Sequence, residues 1–140
     1  MTHTSFPRIY LVSACLVGLK TRYDGCIKPD SVCINELSGS IWVPVCPEQL
    51  GGLSTPRTAA DIIGGDGNDV LEGNALVVTE KGEDVTEQFV LGAKQVLKIA
   101  ESQKIAGIYL KARSPSCGIT SQPGVTAALL ISRGYEVREF

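Results

Sequence analysis

Three short apolar runs punctuate the chain, and a cysteine follows each of them. Arg8–Ala14 leads into Cys15, Ser40–Val45 leads into Cys46, and Ile105–Lys111 precedes Cys117 by a few residues. Short runs rich in β-forming residues predict buried strands. Pro44 lacks an N–H for a ladder, which puts the second run at a sheet edge or at its own end. Ala75–Thr79 and Tyr135–Phe140 predict two further strands.

Between these runs the apolar period changes. Phe89, Val90, Ala93, Val96, Leu97 and Ala100 recur at helical spacing, predicting a helix over Val85–Glu101, with Asp84 and Glu87 in the arrangement of a capping box. A shorter helix is expected over Ala127–Arg133, with Thr126 as an alternative start and Gly134 as its stop. Gly51–Asn74 is rich in Gly and Asp and reads as a long loop over the sheet, with one short helix around Thr58–Ile63. Strands alternating with helices predict an α/β fold: a layered sandwich, mostly parallel, with helices on both faces of the sheet. No internal repeat or linker interrupts it, so residues 1–140 read as one domain.

Composition narrows the partners. Thirteen basic and 15 acidic residues give a net charge of −2, with no basic stripe for gripping a nucleic acid backbone. A small metabolite is the expected partner. Met1–Pro7 is polar and no apolar run is long enough to span a bilayer, so the expected location is the cytoplasm. The oligomeric state is not legible.

Candidate chemistry centres on cysteine. The chain has five cysteines, an odd number, and one histidine, His3, near its start. Ser-His-Asp, Cys-His and His-rich zinc sites therefore lack their histidine. In a reducing compartment cysteines serve metals or catalysis more often than disulfides. Cys15, Cys46 and Cys117 each lie at or just beyond the C-terminal end of an expected strand, the edge where open α/β sheets gather ligands. Three thiolates select zinc, copper(I) or an iron–sulfur cluster. The chain has no C-x-x-C knuckle for a four-ligand structural zinc. A cubane on three cysteines would leave one iron open to substrate. The competing reading is three buried structural thiols, and that bland reading is assigned to Cys26 and Cys33.

Four blocks carry a family resemblance. The first is Val12–Gly18 with Arg22–Gly25, and the second is Pro44–Glu48 with Leu50–Leu53 and Thr55–Arg57. The third runs from Gly82 to Ala93, and the fourth joins Ser114–Gly118 to Gly124–Leu129. Together they resemble the thiouracil desulfidase family, formerly a family of unknown function, over most of the chain. The resemblance implies a 4Fe–4S cluster held by Cys15, Cys46 and Cys117, and removal of sulfur from a thiolated pyrimidine without net redox chemistry. The family usually carries a longer stretch, with an aromatic-aspartate-glycine motif, where this chain has only Ile119–Pro123. That difference bears on the substrate more than on the cluster.

On this reading the open iron acts as a Lewis acid on the thiocarbonyl while water attacks the adjacent carbon. Glu48, two residues beyond Cys46, is the candidate base, or else a solvated or helix-start carboxylate. Ser114 is the second catalytic candidate; Ser116 and Ser13 are candidates for contacting substrate or sulfur, and serines before a turn also cap backbone. Asp24 and Arg22 are candidate substrate contacts, although Asp24-Gly25 is also a turn signal. Arg57 is a candidate partner for a phosphate or carboxylate.

Gly64–Glu72 matches the nonapeptide of calcium β-rolls, but one copy cannot bury its face or complete an ion cage, so the match is read as accidental. Two other functions compete with desulfuration: a zinc hydrolase-like enzyme using three cysteines, and a non-enzymatic module that binds metal or clusters.

Overall fold

The computed structural model describes residues 7–118 and 122–140. His3 and the first three residues of the short Ile119–Pro123 segment lie outside them. Strands β1 (Ile9–Ser13), β2 (Ile41–Val45), β5 (Gly107–Leu110) and β6 (Val137–Glu139) form a sheet in the order β2-β1-β5-β6. Every neighbouring pair is parallel, with Ile9 opposite Ile41, Tyr10 opposite Gly107 and Ile108 opposite Val137. Parallel strands are covered on both faces, which is why β1 and β5 read as nearly continuous apolar runs. β2 lies at the edge, as Pro44 requires.

The pleat divides the core. Leu11, Ile108 and Leu110 join one cluster with Phe89, Ala93, Val96 and Leu97 of α4 (Thr86–Glu101) and Leu129 and Leu130 of α5 (Val125–Ser132). Val12 and Tyr109 face the other way, onto Cys33 and Leu37 at α1 (Ser31–Glu36). Helices therefore cover both faces, as expected. Cys33 is a core thiol, and burial pushes its pKa up to about 11.

Several local expectations are corrected. Thr58–Ile63 does not hold a helix; Ala60–Ile63 is strand β3, paired antiparallel with β4 (Leu76–Thr79) in a separate two-stranded sheet. The β-branched pair Ile62-Ile63 suits a strand once Val77 and Leu76 are available as partners. Gly64–Asn74 is not wholly loop. Asp66 caps α3 (Gly67–Glu72) by accepting from the amides of Asn68 and Asp69, while Asp69 accepts from the amide of Asp66. Asp66 and Asp69 of the calcium-like motif are thus both engaged in a capping box.

The capping box expected at Asp84 and Glu87 is replaced by another device. Asp84 accepts from the Thr86 amide and hydroxyl, and Thr86 Oγ1 accepts from the Val77 amide, tying α4 to β4. α5 begins at Val125, just before the expected start at Thr126 or Ala127.

Three glycine contacts hold the site's backbone. α2 (Pro47–Leu50) crosses α4 so closely that a Cβ on Gly92 would lie 1.9 Å from the Pro47 carbonyl oxygen, and one on Gly51 would lie 2.0 Å from that of Gln88. A Cβ on Gly124 would lie 2.5 Å from the Ser116 carbonyl oxygen. These glycines permit backbone to pack on backbone beside Cys46 and Cys117.

Candidate active site

Because the four strands are parallel, β1, β2 and β5 end at one edge. Cys15 follows β1 in a 3-10 turn, Ala14–Val17, closed by Gly18 in the left-handed region at φ 90°. Cys46 follows β2 directly and precedes Pro47, the first residue of α2. Cys117 stands in the loop between β5 and α5. All three line one cavity of about 380 Å³, together with Ser13, Arg22, Glu48, Arg57 and Ser114.

The thiols sense one another. Cys117 is buried, and its pKa is pushed up to about 12, chiefly by burial and further by Cys15, Glu48 and Cys46, against the hydrogen bond from Ser13. Burial also raises Cys15, with Cys46 adding to the rise and Lys111 and Arg22 opposing it. Ser13 Oγ donates to Cys117 Sγ at 3.4 Å and accepts from the Lys111 amide at 2.9 Å. The Cys46 thiol points at the Thr21 carbonyl at 3.8 Å.

Glu48 stands in the first turn of α2. Its Oε1 accepts from Arg57 Nε at 3.0 Å, and its Oε2 accepts from Ser116 Oγ at 3.3 Å. Ser116 is buried and lies behind the carboxylate. Ser114 Oγ accepts from the amides of Ser116 at 3.1 Å and Cys117 at 3.2 Å, shaping the turn that carries Cys117. Asp24 is not among the cavity-lining residues. It pairs with Arg22 at 3.3 Å and accepts from the Cys26 amide, making the turn its sequence suggests. Cys26 is exposed.

The cavity also has walls that sequence reasoning missed: Thr21, Tyr23, Ala60, Asp61, Lys111 and Arg113. Lys111 was detectable, since it ends the third apolar run on the same edge as the cysteines. Arg113, at φ 61°, holds a left-handed conformation unusual for a side-chain-bearing residue at the exposed lip. Asp61 and Ala60 arrive on β3, the strand hidden in what reads as loop.

Three cysteines and no histidine are among the residues that line this cavity. The 2-thiouracil desulfurase family model matches residues 10–139. The chain belongs to the 2-thiouracil desulfurase family. Uncharacterized protein YbbK of Bacillus subtilis (strain 168) is 44% identical over 140 residues, covering 91% of this chain and 92% of that protein. Among solved structures, the fold is similar to the 4Fe-4S-dependent thiouracil desulfidase TudS, with a TM-score of 0.80 and 36% identity over 96% of this chain and 91% of that one. No helix among the described residues is long and apolar enough to cross a membrane.

Proposed function

We propose that this chain is an iron–sulfur-dependent enzyme that hydrolyses the carbon–sulfur bond of a small thiolated pyrimidine, of thiouracil or thiouridine type. The observation that carries the reading is that Cys15, Cys46 and Cys117 all line one cavity, together with Glu48 and Ser114. Three soft donors from three separate strand ends suit a cluster better than a lone structural zinc, which takes four protein ligands. Family membership and the likeness to TudS favour this reading over the zinc hydrolase and over a non-enzymatic binding module.

Bound to these three thiolates, a 4Fe–4S cluster would supply one iron without a protein ligand, a Lewis acid for a thiocarbonyl sulfur. The protein's own residues do the rest. Glu48 takes a proton from the water that attacks the thiocarbonyl carbon. A carboxylate offers about four lone-pair sites, so the bonds from Arg57 and Ser116 leave room for that water. Ser114, with two amides donating to its oxygen, has its O–H to offer the substrate's polar edge. Ser13 donates to Cys117 and fixes that sulfur. Arg22, on the cavity wall, is the candidate contact for the substrate's oxygen-bearing edge.

The reaction balances without an oxidant. A C–O bond forms to the water oxygen, the C–S bond breaks, and sulfur leaves as sulfide with the water's two protons. The cavity volume, within the small-molecule range of roughly 300–1,000 Å³, and the near-neutral charge support a free pyrimidine over an extended nucleic acid. Five free cysteines support a reducing, cytoplasmic setting. One domain spanning residues 1–140 would carry the whole reaction.

The test is turnover of 2-thiouracil by anaerobically purified protein with no electron donor added. The expected products are uracil and sulfide in equal amounts. No turnover by iron-loaded protein, or turnover that needs a reductant, overturns the proposal.

A further inference from the structure

Arg57 reads, by residue type, as a cation for a substrate phosphate or carboxylate. Its surroundings leave no donor for that task. A guanidinium has five N–H groups in a fixed fork and no acceptor. Nε donates to Glu48 Oε1 at 3.0 Å. Nη1 donates to the Ser54 carbonyl at 3.2 Å and to Thr55 Oγ1 at 2.9 Å. Nη2 donates to the Thr21 carbonyl at 2.9 Å and lies 3.9 Å from Cys46 Sγ. Five donors meet five partners, and the side chain is 8% exposed.

Those partners come from three segments of the chain. Glu48 and Cys46 belong to the turn between β2 and α2. Thr21 belongs to the loop beyond Cys15, and its carbonyl also receives the Cys46 thiol at 3.8 Å. Ser54 and Thr55 belong to the loop that carries Arg57 itself. The backbone repeats the link, since the Arg57 amide donates to the Tyr23 carbonyl at 2.8 Å. Gln49 braces the same loop by donating to Thr55 Oγ1 at 2.7 Å.

We propose that Arg57 is a positioning residue, not a substrate ligand: its guanidinium holds the Glu48 carboxylate and the Cys46 sulfur in one frame, fixing the base relative to the metal-binding edge. The inference rests on the reading of Glu48 as the base. Lysine cannot replace the fork, because a point charge on a flexible stem cannot hold Glu48, Thr21 and Cys46 at fixed angles. Misplacing a reacting group by about 1 Å can cost roughly a hundredfold in rate.

The experiment compares wild type with Arg57→Lys and Arg57→Gln, as full chains purified without oxygen. Iron content, kcat and KM for 2-thiouracil are measured on each. The positioning role predicts kcat down by about a hundredfold, with KM within a factor of a few and no return of kcat in Arg57→Lys. A large rise in KM with kcat preserved, in either variant, makes Arg57 a substrate ligand and overturns the proposal. A second readout does not depend on turnover. Proton–nitrogen NMR of the iron-free chain should show slowly exchanging Nη–H signals that Arg57→Lys removes, because a fully bonded guanidinium does not rotate freely. Averaged, fast-exchanging signals would overturn the proposal even if both variants fold poorly. Absence of iron or turnover in the wild type would instead strike the desulfidase reading, and leave the NMR result to judge Arg57.

Discussion

Two glutamate–arginine pairs with the same chemistry sit in different surroundings. Glu48–Arg57 lies at the cavity edge with side chains 15% and 8% exposed, while Glu36–Arg138 lies on the α1 face with side chains 35% and 55% exposed. In the outer pair Arg138 also packs over Tyr109 and Phe140, with its guanidinium carbon 5.3 and 5.1 Å from their ring centroids. That pair pins α1 to β6, and water competes for both charges. In the inner pair every donor of the arginine is engaged by protein, and the carboxylate stands beside three thiols. The ion pair itself therefore says little about function. Burial, and what else the two groups touch, separates a surface brace from a working part.

The sharpest way to break the inner region is to remove its metal ligands. Cys46→Ala should abolish both iron binding and turnover, read by iron assay and product analysis. Next comes the base. Glu48→Gln keeps the shape and an acceptor for Ser116, so iron should stay near wild type while kcat falls by about 10²- to 10⁴-fold. An unchanged kcat would assign proton transfer elsewhere.

The backbone that presents the pair can be strained without touching it. Gly92→Ala puts a methyl against the Pro47 carbonyl, displacing α2 with Cys46 and Glu48. Overpacking of this kind costs about 1–3 kcal/mol. The expected outcome is a lower denaturation midpoint together with weaker iron retention, measured by urea titration and metal analysis.

The smallest effect belongs to the outer pair. Glu36→Gln should leave kcat and iron unchanged and shift the melting temperature only slightly. Its pH signature is more distinctive. The hydrogen bond and charge of Arg138 hold the Glu36 carboxyl below its ordinary value. A carboxylate depressed in the folded state contributes stability above its unfolded pKa and loses it as pH falls through the folded value. Acid melts of Glu36→Gln should therefore converge on wild type below the ordinary glutamate range, about pH 4.3, and differ above it.

Much of the architecture was legible because burial on both faces writes β1 and β5 as plain apolar runs, and β2, though largely exposed at the sheet edge, is apolar as well. The cysteines after those runs were legible for the same reason, since parallel strands must end at a common edge. β3 was not, because its partner β4 lies outside the main sheet and Ala60–Ile63 carries little alternation of its own. α3 was hidden by Gly64–Gly67, whose glycines mask a helix started by the Asp66–Asp69 box. At the site, residue type identified Glu48 and Arg57, but nothing in their spacing shows that they face each other. Likewise Ser116 turns its hydroxyl to Glu48 Oε2 from 68 positions away, a contact made only by the fold. Arg113 was not legible because an isolated cation in a loop has no motif, and Lys111 is marked only by its place at the end of the third apolar run.

The most direct test of the central claim is the iron and acid-labile sulfide content, with a visible spectrum, of protein purified without oxygen, beside Cys46→Ala. A 4Fe–4S cluster on Cys15, Cys46 and Cys117 predicts brown wild-type protein with about four irons and four sulfides per chain, and a colourless variant. Wild-type protein that carries zinc, or no metal, after purification and reconstitution under those conditions would contradict the account.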